Sequence, residues 1–119
     1  MTNLRLKRAY DPPASDDGRR VLVDRLWPRG MSKEAAKIDH WARDASPSTA
    51  LRKEFHGHPD RWEEFRAAYA LELAQEPARS AALAIRAEAA KGVVTLLYAA
   101  KDETRNNAVA LREWLRQMQ

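Results

Sequence analysis

The sequence contains no cysteine in 119 residues, which excludes disulfides, a cysteine nucleophile and thiolate metal sites. It also has no apolar run near the ~20 residues that a membrane-spanning helix needs. The first residues, MTNLRLKRAY, lack the apolar segment of a secretory signal peptide. We therefore predict a cytoplasmic protein that makes no contact with a membrane.

Hydrophobic residues make up 45% of the chain and charged residues 32%, a balance typical of a globular protein. The length predicts one domain, residues 1–119, because no linker or internal repeat divides it. The net charge is +4, and 15 of the 21 basic residues are arginine. A basic protein favours anionic partners. The abundance of arginine and alanine is better explained by genome composition than by selection for phosphate binding, so the charge is weak evidence for an anionic partner.

Three segments have the pattern of β-strands. Residues 4–8 alternate apolar and charged side chains, as a half-buried strand does. Residues 20–27 contain an apolar run and then meet Pro28, which cannot continue a sheet. Residues 93–98 are apolar almost throughout, so we predict a central strand that is covered on both faces. Residues 37–44 fit an extended segment or a helical turn, and we favour the extended one.

Four segments have the pattern of helices. One starts at Ser46-Pro47-Ser48, one at Asp60, one covers about residues 78–91, and one carries the last apolar residues from Val109 onward. Asp60 and Glu63 have the spacing of a capping box. In the same helix an apolar stripe belongs in the core, and Glu72 belongs on the solvated face. The stripe consists of Trp62, Phe65, Tyr69 and Leu73.

A helical stretch that precedes a continuously apolar strand is typical of a crossover between parallel strands. We therefore predict a small single-domain layered α/β fold with a short, partly parallel sheet and about four helices. In such sheets ligands bind beyond the carboxyl ends of the strands. The segments that follow the strands are thus the first places to search for a site.

The first candidate site is the segment Asp24-Arg25-Leu26-Trp27-Pro28-Arg29-Gly30, at the end of the second predicted strand. Arg25 and Arg29 can hold a carboxylate or a phosphate through paired N–H donors. Asp24 can orient these cations or act as a base. The structural alternative is that Asp24 and Arg25 form ion pairs while Trp27 packs in the core.

The second candidate site is segment 99–107, which follows the apolar strand. Lys101 supplies charge, and the free N–H groups at a helix start, near Asn106 and Asn107, are a common anion site. Asp102 is a second candidate acid–base group. Ordinary helix capping by Asp102 or Thr104 accounts for the same residues without a ligand. The loop has no glycine, which argues against a phosphate-binding loop for nucleoside triphosphates.

The third candidate is His56-Gly57-His58. Two histidines at this spacing could bind a metal ion or transfer a proton. The sequence His-Gly-His-Pro-Asp also makes a good loop and helix start. We favour the loop, and we predict neither a metal nor a cofactor.

Four blocks of the sequence occur together in a recognisable order: Val21–Gly30, Ala45–Phe55, His58–Leu73, and Val94–Asp102 followed by Asn106 and Ala108. Together they resemble the domain-of-unknown-function family 488, in its YeaO-like branch. The resemblance covers nearly the whole chain. It implies kinship but no particular activity, because the family's name records that none is established.

Other branches of this family carry a motif of the Cys-His-Arg type after the last strand. The corresponding stretch here is Arg105-Asn106-Asn107, and YeaO-like members often have Asn-His where this chain has Asn106-Asn107. Thiol chemistry therefore does not transfer to this chain, and the missing histidine weakens a role in proton transfer. The resemblance does imply where a site lies: at residues 98–102, at the helix start that follows, and at the Arg25–Arg29 turn.

The leading hypothesis is a pocket for a small anion, formed by Arg25, Arg29, Lys101, Asn106 and Asn107. If the protein is an enzyme, which stays open, Asp24 and Asp102 are the candidate catalytic groups. The second hypothesis is a nucleic-acid-binding module, which requires the scattered arginines to form one continuous stripe. The third is a non-catalytic homodimer formed through the alanine-rich helix 78–91.

Overall fold

A four-stranded sheet forms the centre of the computed structural model, which describes residues 3–118; residues 1, 2 and 119 of the predicted domain lie outside the described residues. Its strands are β1 Leu4–Arg8, β2 Arg19–Leu22, β3 His40–Trp41 and β4 Val94–Tyr98. They lie in the order β1-β4-β2-β3, and every pairing is parallel. The predicted α/β class is confirmed.

The central place of β4 follows from its apolar side chains on both faces. Leu96 lies in register with Leu6 of β1 and with Val21 of β2. All five residues of β4 are buried. The buried hydroxyl of Thr95 has a partner, because it donates to the Asp17 carbonyl at 2.7 Å.

Five helices accompany the sheet: α1 Lys33–Ala36, α2 Thr49–Phe55, α3 Trp62–Leu73, α4 Ala78–Lys91 and α5 Asn107–Gln117. In α3 the predicted apolar stripe faces the core, with Phe65, Tyr69 and Leu73 buried and Trp62 half-buried beside them. α4 turns its buried residues toward the same core. Within residues 3–118, none of the helices has the length and apolar character needed to cross a membrane.

The opposite face of the sheet is covered largely by loops. Leu22 and Leu97 pack there with Ala9, and the indoles of Trp27 and Trp41 lie against them. The two indoles meet edge to face, with ring centroids 5.3 Å apart. The segment between β2 and β3 contains only the short helix α1, and side-chain packing against this face holds much of the rest in place.

The predicted start of α3 is wrong. The helix begins at Trp62, after a 3-10 turn over Pro59–Arg61, and no side chain caps it. Asp60 lies inside that turn, so it cannot form a capping box with Glu63. The start of α2 agrees better with the sequence, because the Ser48 hydroxyl accepts from the Leu51 N–H at 3.1 Å.

Candidate functional site

The carboxyl ends of the four parallel strands lie along one edge of the sheet, and both predicted loop sites lie at this edge. The Asp24–Gly30 segment follows β2, and segment 99–107 follows β4, the neighbouring strand. A direct bond joins them: the Asp24 Oδ2 accepts from the Ala99 N–H at 2.7 Å. The two segments that the sequence singled out therefore form one structural unit.

Asp24 is the centre of this unit. Its Oδ1 accepts from the Asn107 side-chain amide at 2.9 Å, and its carbonyl accepts from the Trp41 indole N–H at 2.8 Å. Burial raises the pKa of Asp24, and the hydrogen bonds from Ala99 and Asn107 and the charge of Arg52 only partly offset that rise. Each carboxylate oxygen of Asp24 therefore already accepts a hydrogen bond from another group of the protein.

Arg25 is also bound to the protein's own backbone. Its Nε donates to the Pro47 carbonyl at 3.0 Å, and its Nη2 donates to the Ser46 carbonyl at 3.0 Å. No carboxylate of residues 3–118 lies within 4.0 Å of its guanidinium. Arg25 thus anchors the segment before α2 and keeps its positive charge unneutralised.

We predict that Arg25→Ala lowers the free energy of unfolding by about 1–3 kcal/mol, because two carbonyls lose a charged donor. Urea unfolding would measure this loss. The exposed Arg29 offers a matched control, since no ion pair or side-chain hydrogen bond holds its guanidinium within the described residues. If Arg29→Ala costs as much as Arg25→Ala, the anchoring role of Arg25 is disproved.

Arg29 and Lys101 lie at the surface of this edge, and both side chains are exposed. The Arg29 carbonyl accepts from the Tyr10 hydroxyl at 2.9 Å, which ties the β2 loop to the end of β1. Lys101 makes no side-chain hydrogen bond or ion pair within residues 3–118. Of the predicted ligand-binding side chains, these two are the most accessible.

Asn106 and Asn107 have structural partners. Asn106 is buried and caps α5, since its Oδ1 accepts from the Val109 N–H at 3.0 Å; the predicted cap by Asp102 or Thr104 is therefore wrong. Besides its bond to Asp24, the Asn107 amide donates to the Val23 carbonyl at 2.6 Å. These bonds fix the start of α5 against the end of β2.

Asp102 shapes the turn before α5. Its Oδ1 accepts from the N–H groups of Thr104 and Arg105, at 2.9 and 3.0 Å, and from the Thr104 hydroxyl. These hydrogen bonds lower the pKa of Asp102. It stays ionised and exposed, whereas burial raises the pKa of the other candidate catalytic group, Asp24.

Sequence reasoning missed a second polar group beside this centre. The Glu72 carboxylate accepts from both the hydroxyl and the N–H of Ser48, at 2.6 and 2.9 Å, so its predicted place on a solvated face is wrong. One turn earlier in α3, the buried Tyr69 hydroxyl donates to the Ala45 carbonyl. The only signal was the helix spacing of Tyr69 and Glu72, which does not reveal partners far away in the sequence.

The two histidines of the third candidate lie in a loop. His56 and His58 are exposed around the turn between α2 and α3. No group of three or more potential ligands suited to a metal ion occurs in the part of the chain that the structure describes. The loop interpretation fits this segment.

The fold and this edge define a class of protein: a small domain with an all-parallel sheet and a polar cluster across its strand ends. The sequence comparison then gives the family. Residues 3–119 match the family described as "Inactive DUF488-N3 subclade", and the chain belongs to it.

Uncharacterised relatives share this family resemblance over nearly their full length. The protein named YeaO of Escherichia coli (strain K12) is 47% identical over 116 residues, covering 98% of this chain and 99% of the relative. Rv3073c of Mycobacterium tuberculosis (strain H37Rv) and Mb3100c of Mycobacterium bovis are each 39% identical over 115 residues, 96% of this chain and 94% of each relative. No solved structure matches the chain.

Proposed function

We propose that this protein binds a small anion, a phosphate or a carboxylate, at the carboxyl edge of its sheet and does not transform it. The observation that carries the proposal is the placement of one basic side chain at or just beyond the end of every strand. These are Arg8 for β1, Arg25 for β2, Arg43 for β3 and Lys101 for β4. Parallel topology brings these four residues, which are scattered in the sequence, to one edge.

The charges of these four residues are not neutralised by acidic partners. No salt bridge among the described residues involves any of them. Three of the guanidiniums are held by carbonyl groups or by an aromatic ring instead, as Arg8 is by the Ala99 and Ala100 carbonyls. A cation that is ordered before binding loses less entropy when an anion arrives, which favours affinity.

The acidic groups of the same edge support binding without catalysis. Asp24 and Asp102, the candidate catalytic groups, both accept hydrogen bonds from backbone N–H groups of the protein. In our proposal they hold the loops in place. The word "Inactive" in the family's description supports the same interpretation.

A thermal-shift titration with sulfate, phosphate, pyrophosphate and citrate tests this function. A bound anion at about 100 times its Kd is expected to stabilise the fold by about 2.7 kcal/mol. Lys101→Met is expected to weaken binding about tenfold, because one charged hydrogen-bond donor is lost. It should leave the stability without ligand unchanged, since Lys101 has no partner in residues 3–118.

Lys91→Met is the matched control. Lys91 is an exposed lysine at the end of α4, on the opposite edge of the sheet, where β4 begins. Its removal changes the net charge equally but should not affect the titration. Equal weakening by both substitutions, or no stabilisation by any of the anions, would overturn the proposal.

A further inference from the structure

Two arginine–aromatic pairs lie at the two ends of the carboxyl edge, one beside β3 and one beside β1. We propose that the anion bound at this edge is the phosphate backbone of a single-stranded nucleic acid, whose bases stack at these two pairs. This inference rests on the proposed function and names the ligand class for that site.

The pair beside β3 is Arg43 over Trp41, with the guanidinium carbon 3.9 Å from the ring centroid. Trp41 is fixed by its indole bond to the Asp24 carbonyl and by edge contact with Trp27. Arg43 is exposed, and no hydrogen bond to other described residues holds its guanidinium. The guanidinium therefore lies over a fixed ring at stacking distance, and because Arg43 is exposed, a flat base can approach this pair from solvent.

A cleft adjoins this pair. It has a volume of about 480 Å³ and is lined by Trp41 and Arg43 together with His40, Asp44 and Ala81. That size is in the range of sites that hold a small organic molecule. The histidine and the carboxylate in its wall give a base edge both a donor and an acceptor.

The pair beside β1 is Arg8 near Tyr10, with the guanidinium carbon 5.2 Å from the ring centroid. Arg8 is held by the carbonyls of Ala99 and Ala100, and the Tyr10 hydroxyl donates to the Arg29 carbonyl. Even so, Tyr10 is 41% exposed. An exposed large aromatic ring whose polar end is fixed is a suitable platform for a base.

The separation of the two pairs favours a polymer over a single nucleotide. β1 and β3 are the outermost strands of four, so three strand spacings, about 14 Å, lie between them. One base cannot contact both pairs across that distance. Two bases joined by phosphates can, and Arg25 and Lys101 follow the two strands in between. Stacking at both ends requires unpaired bases, which excludes a duplex from this arrangement.

Fluorescence anisotropy with three labelled probes tests the inference: a twelve-residue oligothymidylate, an abasic oligonucleotide of equal length, and a twelve-base-pair duplex. We expect the oligothymidylate to bind at least about tenfold more tightly than the abasic strand, because stacking contributes only to the first. The duplex should bind no better than the abasic strand. If the protein contacts about three phosphates, the logarithm of the association constant should fall with the logarithm of the salt concentration with a slope of about −2.

Arg43→Lys separates stacking from charge, since it keeps the positive charge and removes the planar guanidinium. It is expected to weaken oligothymidylate binding about fivefold to tenfold and to leave abasic-strand binding unchanged. Arg116→Lys, at an exposed position near the far end of α5, is the control and should change neither. A melting curve confirms that each variant is folded.

The outcomes distinguish the two proposals. If small anions stabilise the protein but the abasic strand and the duplex bind as tightly as the oligothymidylate, the anion site stands and the nucleic-acid inference is overturned. An Arg43→Lys variant that binds the oligothymidylate as the parent does would also overturn it. If neither small anions nor any oligonucleotide binds, both proposals fail.

Discussion

Gly18→Ala is expected to lower the free energy of unfolding by about 3–5 kcal/mol, through backbone strain and steric overlap together. Gly18 has φ +64° and ψ −138°, a conformation that side-chain-bearing residues rarely adopt. A methyl group there would also overlap the carbonyl oxygen of Val93 and lie 2.9 Å from its Cβ. Neither penalty is relieved by rotating a side chain, because the nearest atoms belong to the backbone.

The backbone around Gly18 has little room to adjust. The next residue, Arg19, begins β2 and donates its N–H to the same Val93 carbonyl at 3.0 Å. Val93 in turn leads directly into β4. Moving these segments apart would therefore disturb the pairing of the two central strands.

Substitutions at two other glycines distinguish backbone strain from steric overlap as causes of the lower unfolding free energy. Gly57 has φ +85° but nothing within 4 Å of an added methyl, so Gly57→Ala should show the conformational cost alone, about 1 kcal/mol. Gly92 has extended backbone and open space, so Gly92→Ala should be close to neutral. Urea unfolding of the three variants would give the ranking. A Gly18→Ala variant as stable as Gly57→Ala would show that the contact with Val93 does not constrain the fold.

The fold was predictable where a local pattern determines the environment of a residue. The apolar run of β4 indicated burial on both faces, and the long helical stretch before it indicated a crossover between parallel strands. The start of α2 was predictable within a few residues, because the Ser48 cap depends only on neighbours in the sequence. The predicted capping box at Asp60 does not form, because Pro59 begins a 3-10 turn that includes Asp60.

The sequence predicted where the candidate site lies but not which hydrogen bonds its side chains make. Strand ends in a parallel sheet meet, so Asp24 and the loop after β4 were expected at one edge. Their partners depend on tertiary structure: Arg25 donates to the carbonyl of Pro47, and Asn107 to that of Val23. A hydrogen bond to a backbone carbonyl cannot be predicted from residue types, because every residue has a backbone carbonyl. The role of Glu72 was also hidden, because its partner Ser48 is far away in the sequence.

Asp17→Ala is expected to lower the free energy of unfolding by about 3–5 kcal/mol, because it leaves a buried cation without its counter-charge. The side chains of Asp17 and Arg20 are only 8% and 5% exposed, and Arg20 Nη1 donates to Asp17 Oδ2 at 2.6 Å. Lys7 adds a second cation, with its Nζ 3.2 Å from each carboxylate oxygen.

The adjacent aspartate provides the control. Asp16 is 78% exposed, and its ion pair with Arg5, at 3.4 Å, lies on the surface. Surface pairs of this kind contribute about 0–1 kcal/mol. Asp16→Ala therefore removes the same charge from the same turn at little cost. If urea unfolding gives similar losses for the two variants, the buried group is not the source of the stability.

Acid titration tests the same group independently. Burial by itself raises the pKa of Asp17, but hydrogen bonds from the Ala14 N–H, from Lys7 and from Arg20 outweigh it and lower the pKa below its ordinary value. Such a carboxylate stabilises the fold above its unfolded pKa, and the contribution is lost as the pH falls through the folded pKa. The stability of the parent protein should therefore fall more steeply than that of Asp17→Ala from about pH 5 to pH 2. The two curves converge at the acid end, since there the parent's Asp17 is protonated and Arg20 faces a neutral partner in both proteins. The other carboxylates titrate alike in both, so parallel curves would show that the Asp17 carboxylate contributes no stability through its charge.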